Sequence, residues 1–322
     1  MRERWTRTTP VLKVETDEAA ELVKPALGEC RVTRVEPLGG GHSNTNLRLH
    51  LDGRPNSVVL RLYQRDPTQA PKEAKISALV AATVPVPRYL HYGERASNGQ
   101  SYAVVEWVDG QPLFLVAKRA NEQELSAMGR SVGAVLAAIH AHTFEQAGLL
   151  DADLKITPFP GSTSLGAYLE FSFRGIARER AGDALADAAI LFARRNEHRQ
   201  DVWNHPARLT HFDFGATNIL MRNDASVAGV VDWEFAASAS PAPDFGNLLR
   251  PPLGQSQDFI RGVETGYRDK GGFLPDDWLE LTRLADVAAW TEFLTRPNVS
   301  AEVVQDALKV LRDITVSRNP TA

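Results

Sequence analysis

The densest set of polar residues in the sequence lies in LTHFDFGATNILM, residues 209–221, where His211, Asp213 and Asn218 stand between apolar residues. Asp213 and Asn218 are five positions apart across a turn that contains Gly215. Such a turn can aim a carboxylate and a carboxamide into one cleft while Leu209 and Ile219-Leu220 anchor its ends in a core. Fourteen residues beyond Asn218, VAGVVDWEF delivers Asp232 at the end of a short apolar run. Two carboxylates and an amide oxygen converging on a crevice suit magnesium, which takes oxygen ligands, keeps several waters and accepts the rest of its shell from substrate phosphates. Phosphoryl transfer then needs positioning, charge neutralisation and a base to orient the attacking hydroxyl. Taken one at a time, the same three side chains are also compatible with separate turn and cap positions.

Their order and spacing match a known template, the kinase catalytic loop H-R-D-L-x-x-x-N followed by a metal-binding Asp. HFDFGATN keeps the His, Asp and Asn in register, and VVDWE has the D-W-E form that commonly replaces D-F-G in aminoglycoside phosphotransferase-like proteins. The sequence therefore resembles this family of small-molecule kinases, which includes the choline kinase type, rather than the protein kinases, and no A-P-E follows Asp232. SPAPDFGNLLR resembles the family's short D-P-x-x-D-L-like segment, whose Asp, here Asp244, braces the catalytic loop; a helix N-cap is the other reading of Asp244. The resemblance implies that Asp213 is the catalytic base, that Asn218 and Asp232 hold Mg2+, and that His211 fixes the loop by hydrogen bonding.

Three further segments fit the same resemblance. EPLGGGHSNTNLRL joins two strand-like runs through Gly39, Gly40 and Gly41, then Ser43 and Asn44. Glycines let a backbone approach phosphate closely and present N–H donors, although a glycine triplet alone also reads as a plain hairpin turn. By resemblance it is the phosphate-covering loop, with Gly40, Gly41, Ser43 and Asn44 at the nucleotide. SVVLRLYQ places Arg61 in an apolar strand, where a cation needs a partner, and the following helix offers Glu73. In the family such a strand cation, usually Lys, contacts the α- and β-phosphates; Arg keeps the charge but changes the donor geometry. SYAVVEWVDGQP resembles the inter-lobe hinge, where the main chain of Glu106, Trp107 and Val108 would meet the purine of ATP or GTP. His140 reads as a structural histidine on an apolar helix face, His42 as a loop residue, and Trp290 with Phe293 as core packing at i and i+3.

Around these residues the chain has two kinds of pattern. Strand-like runs at 31–38, 46–51, 57–64, 88–94 and 101–108 are set off by Gly, Pro, Asn and Asp, with a helix before them and one at 71–82 opening on Pro71. From NEQELSAMGRSVGAVLAAIHAH, residues 121–142, helical spacing takes over, with further helices expected near 164–180, 183–198, 256–269, 276–295 and 301–316 and a small strand group at 208–232. The expected fold is α+β, two-lobed and protein-kinase-like: residues 1–109 an antiparallel sheet lobe with one key helix, residues 110–322 a larger, mostly helical catalytic and substrate-binding lobe. A crevice ligand belongs at their junction.

Composition bounds the function. The 322 residues are 43% hydrophobic, enough for a core in each lobe. A net charge of -4 gives no basic footprint for nucleic acid, and no run is long and apolar enough for a membrane span or signal peptide. The single cysteine, Cys30, fits a reducing compartment, so a cytoplasmic location is expected. The expected partner is a small hydroxyl acceptor, which the family draws from aminoglycosides, macrolides, sugars and amino alcohols. The segment after residue 250 lacks the large acidic excess that a polycation would favour, and the oligomeric state leaves no sequence signature. Two other classes stay open at this level: a kinase-shaped module that holds nucleotide without turnover, and a hydrolase with a metal on His211, Asp213 and Asp232.

Overall fold

The computed structural model describes residue 7 and residues 9–39, 44–53, 57–159 and 164–315. Its first part is helix α1 (Thr16–Leu27), strands β1 (Val32–Pro37), β2 (Thr45–Leu51) and β3 (Val58–Leu62), helix α2 (Gln69–Val80) and strands β4 (Tyr89–Glu94) and β5 (Ser101–Glu106). The five strands form one antiparallel sheet in the order β1-β2-β3-β5-β4. In β2 buried and half-buried residues alternate, so Leu47, Leu49 and Leu51 point into the core, where they meet Leu22 and Val23 of α1. Helix α2 begins two residues ahead of the expected Pro71. Pro71 still falls in the first turn, where the missing N–H has no intrahelical acceptor to lose.

The second part opens with β6 (Gln111–Pro112), α3 (Leu113–Ala117) and the long α4 (Glu122–His140), followed by the short strands β7 (Thr143–Phe144), β8 (Gly148–Leu150) and β9 (Ile156–Thr157). Next come α5 (Leu165–Ser172), α6 (Ile176–Ala181), α7 (Asp183–Asn196), α8 (Asp201–Asn204), β10 (Ala207–Thr210), β11 (Ile219–Met221), β12 (Val227–Val230), β13 (Ala237–Ala239) and α9 (Ala242–Leu248). Helices α10 (Gln257–Asp269), α11 (Trp278–Thr295) and α12 (Ala301–Thr315) complete it. The architecture is α+β, an antiparallel sheet lobe followed by a mostly helical lobe. The single helix expected at 164–180 is two, because Gly175, with φ of 73°, turns the chain between α5 and α6.

Helix α4 is started by a capping box in which Asn121 accepts from Glu124 N–H and Glu124 accepts from Asn121 N–H. It crosses α10 at very short range. A Cβ on Gly133 would stand 2.1 Å from the Val263 carbonyl oxygen, and one on Gly266 would stand 2.0 Å from that of Arg130. Glycine is needed at both places so that the two backbones can touch. That crossing carries His140 at the end of α4 and Tyr267 of α10 into the buried core beneath residues 211–218.

Candidate active site

β10 leads into the loop His211–Asn218, and β11 leads out of it. β11 pairs antiparallel with β12 through Ile219 and Val230, and Val231 N–H donates to the Asn218 carbonyl at 3.0 Å. The residue just before β11 and the residues just after β12 are therefore neighbours, which is how the fold brings Asn218 and Asp232 side by side. Asn218 donates from Nδ2 to the Asp213 carboxylate at 2.9 Å and to the Asp213 carbonyl at 2.9 Å. Its Oδ1, the atom that a cation would use, is the acceptor end of the same amide.

The loop is held from below. Asp244, fully buried in the first turn of α9, accepts the N–H of His211 at 2.8 Å and that of Phe212 at 2.8 Å, one on each carboxylate oxygen. Asn247 of α9 donates to the Phe212 carbonyl at 3.0 Å, so Phe212 keeps its left-handed φ of 61° between two side chains of one helix. Asp244 also pairs with His140 Nε2 at 3.1 Å, and His140 Nδ1 meets the Tyr267 hydroxyl at 2.9 Å. Burial lowers the His140 pKa, against the pull of Asp244, and raises that of Tyr267. A neutral His140 donating to Asp244 and accepting from Tyr267 satisfies every one of these groups. The structural reading of His140 agrees with this geometry, and Asp244 braces the loop from inside the helix rather than capping its end.

His211 is fully buried. Asp213 N–H donates to its Nδ1 at 3.3 Å, Nε2 lies 3.1 Å from the Val231 carbonyl, and the ring lies 4.5 Å from that of Trp233. Both ring nitrogens are engaged within the fold, which takes away the ligand that a His211-based hydrolase would need.

Asp232 has a left-handed backbone, φ 71° and ψ 60°, at the start of a short 3-10 turn, Trp233–Phe235. Its carboxylate accepts from Arg61 Nη2 at 2.5 Å, and the same nitrogen lies 2.9 Å from Glu73 Oε1 on α2. Glu73 is fully buried and also accepts from the hydroxyls of Tyr63 at 2.5 Å and Tyr89 at 2.6 Å. Burial opposes the Arg61 charge, but Glu73 and then Asp232 outweigh it and hold the guanidinium protonated. Burial likewise raises the Glu73 carboxyl, opposed by Arg61 and the two phenols. The paired cation and helix glutamate named from the sequence thus meet, and they reach across to the second lobe.

For Glu234 no role was foreseen. Its carboxylate accepts from Asn44 Nδ2 at 3.0 Å, and its backbone carbonyl accepts from the buried Lys72 ammonium at 3.0 Å. Burial, with the Asp232 charge second, pushes the Glu234 carboxyl up to about 7. Asn44 also accepts the Gln64 N–H at 3.1 Å, so its buried side chain ties the start of β2 to the chain just beyond β3 and to Glu234. Gly40, Gly41, His42 and Ser43 lie outside the described residues.

At the end of β5 the side chains of the expected hinge have their own partners. Glu106 is paired with Arg88, Trp107 Nε1 donates to Asp109 at 2.6 Å beneath the Arg48 guanidinium, and Val108 packs on Gly229. Glu106 N–H is already given to the Arg88 carbonyl at 2.9 Å, so of this segment's amides that one is not offered to a base. Trp290 and Phe293 are buried among residues of α5, α7 and α12, as their spacing suggests. Tyr63, two residues beyond Arg61 and so on the same face of the strand, carried a readable signal, and Glu234 was marked as the last residue of D-W-E; Lys72 carried none, and what both residues bond to depends on contacts between the lobes.

Among the described residues no group of three or more His, Cys, Asp and Glu is arranged to hold a metal ion, and no helix is long and apolar enough to cross a membrane. The donor set at Asn218 and Asp232, an amide oxygen and a carboxylate, does suit a hard divalent cation that takes the rest of its shell from phosphate and water.

The model of the phosphotransferase enzyme family matches residues 34–314. The fold is similar to a thermostable mutant of aminoglycoside phosphotransferase APH(4)-Ia, solved in a ternary complex with AMP-PNP and hygromycin B: 19% identity, TM-score 0.70, covering 94% of this chain and 99% of that one. It is likewise similar to wild-type aminoglycoside 2'-phosphotransferase-IIIa in its GDP complex, at 17% identity and TM-score 0.71, with 94% and 99% covered. A GDP and kanamycin complex of APH(2")-IIia follows at 16% identity and TM-score 0.66, with 93% and 99% covered. No curated protein sequence matches the chain.

Proposed function

The chain belongs to the phosphotransferase enzyme family, and from that premise we propose that it moves the γ-phosphoryl group of ATP or GTP onto a hydroxyl of a small molecule. The observation that carries this reading is the unbroken run of contacts from Asp213 to Asn218, from Asn218 to Val231 and its neighbour Asp232, and from Asp232 through Arg61 to Glu73. It supports reading Asp213 as the carboxylate for the acceptor hydroxyl, Asn218 and Asp232 as the oxygen donors for a cation and Arg61 as the guanidinium for phosphate. Separate turn and cap residues would not be joined in this way.

In this reading Asp213 orients the hydroxyl and accepts its proton, and Asn218 keeps the Asp213 carboxylate in place. Arg61, held by Glu73, faces the phosphates, and the glycine segment at 39–44 covers them. The backbone of Trp107 and Val108 receives the purine. Asn218 Oδ1 and Asp232 would hold Mg2+, which when bound neutralises phosphate charge.

The test is Mg2+-dependent release of ADP or GDP by the purified protein over a panel of hydroxyl compounds, with Asp213→Ala beside the wild type. Acceptor-stimulated release that drops at least about 100-fold in the variant is expected for loss of a general base. Equal rates in both proteins would remove Asp213 from the mechanism, and nucleotide binding without stimulated release by any compound would favour a non-catalytic module.

A further inference from the structure

Resting on the phosphotransferase reading above, we propose that the acceptor is not a polycation but a neutral or anionic hydroxyl compound with an apolar body, which offers an oxygen to Arg250. A pocket shares a wall with the catalytic loop, since Gly215, Ala216 and Thr217, the residues between Asp213 and Asn218, line it. Phe114 of α3, Leu253 and Trp290 of α11 give it an apolar surface, and among the described residues that line it none is a carboxylate and one, Arg250, just beyond α9, is charged.

The Arg250 side chain is only 9% exposed. Its guanidinium lies 4.5 Å from the centre of the Trp290 ring; Nη2 donates to Asp286 Oδ1 at 2.5 Å, and Nε lies 3.4 Å from Asp286 Oδ2. Asp286 Oδ2 also accepts from Trp290 Nε1 at 2.6 Å, so each oxygen of this carboxylate already accepts a donor of the fold and its charge is paired with Arg250. Arg250 Nη1, by contrast, is buried and has no hydrogen-bond partner. A buried donor without an acceptor is costly, and a small turn of the guanidinium that opens Nη1 to the pocket would let an oxygen on the bound compound satisfy it. An aminoglycoside would bring several ammonium groups to a lining that, among the described residues, carries no carboxylate, and Asp213 beside it is taken by the reacting hydroxyl, so their charge would go uncompensated there. The apolar lining in turn suits a hydrocarbon or ring face.

The experiment measures nucleotide diphosphate release by the full-length protein with Mg2+ and ATP or GTP. Hydroxyl compounds of matched size are compared in three classes, neutral, carboxylate-bearing and polycationic, using the wild type and Arg250→Met. Turnover of neutral or carboxylate-bearing compounds, with a KM raised about tenfold or more in Arg250→Met and a smaller change in kcat, supports the assignment. A rise confined to the carboxylate class would identify that group as the source of the oxygen. Polycations as the best acceptors, with a KM that Arg250→Met leaves unchanged, overturn the assignment while the phosphotransferase reading stands. If no class stimulates release, the phosphotransferase reading itself falls and the assignment with it. Should Arg250→Met not fold, the class preference of the wild type and the KM shift of Arg250→Lys decide the same question.

Discussion

Asp244 receives two backbone N–H groups and a histidine on two oxygens, and the carboxylate itself is fully buried. Asp244→Asn keeps the volume but turns an N–H2 toward a donor that needs an acceptor. A loss of about 2 kcal/mol in denaturant-induced unfolding is expected, with a fall in kcat as Phe212 and Asp213 lose their support. Unchanged stability would mean that the loop does not depend on this carboxylate. Glu234 gives a pH signature. Its folded pKa of about 7 lies above the ordinary value of 4.5, so the folded chain holds the extra proton between the two. Its stabilising contribution is complete below about pH 4.5 and is lost as pH rises through about 7. Glu234→Gln should flatten the stability profile over that window by on the order of 2 kcal/mol, and parallel profiles for the two proteins would refute the shift. The sequence disclosed Asp213, Asn218 and Asp232 because a motif fixes their spacing, and Arg61 because a cation in an apolar strand demands an explanation. Nothing local marked Lys72 or Arg250, and Glu234 was marked only as the last residue of D-W-E, without a role; their significance comes from neighbours distant in the chain.

The α4–α10 crossing shows the same limit for whole elements. Both helices were readable from apolar spacing, while the closeness of their approach is set by Gly133 and Gly266 and appears only when they are paired. Gly133→Val should cost about 3 kcal/mol, because the new side chain meets backbone rather than a movable side-chain tip. Thermal unfolding measures this, and a loss of activity below the transition would show that displacing His140 and Tyr267 reaches Asp244. The five strands of the first sheet were legible because β-branched or alternating runs there are set off by Gly, Pro, Asn and Asp. β7, β8, β9 and β13, of two or three residues each, were not, since so short a strand exists only through its pairing. The break at Gly175 was visible as a glycine, but not as a change of direction.

Across the whole molecule, ligand binding at the junction should appear as stability. With Mg2+ and nucleotide at about 100 times Kd the folded state gains about 2.7 kcal/mol, read as a rise in Tm. Arg61→Met should remove most of that increment, compared as the difference with and without ligand because the substitution also leaves Glu73 and Asp232 without their cation. An undiminished increment would place the phosphates elsewhere. The arrangement of the lobes has a mechanical side as well. Arg61, Asn44 and Lys72, from two strands' surroundings and one helix of the first lobe, all bond to the three-residue stretch Asp232–Glu234. Together with Pro85, whose carbonyl accepts the Val230 N–H at 2.8 Å, and Ile76 and Val80 of α2, which pack in the second lobe's core, these ties hold α2 to residues 230–234. We expect the first lobe to swing about this region rather than slide along the second, which would break several bonds together. Widening of the cleft is then a rotation, with little displacement at Asp232 and the largest at the far edge of the sheet, where a pair of distance probes would register it first.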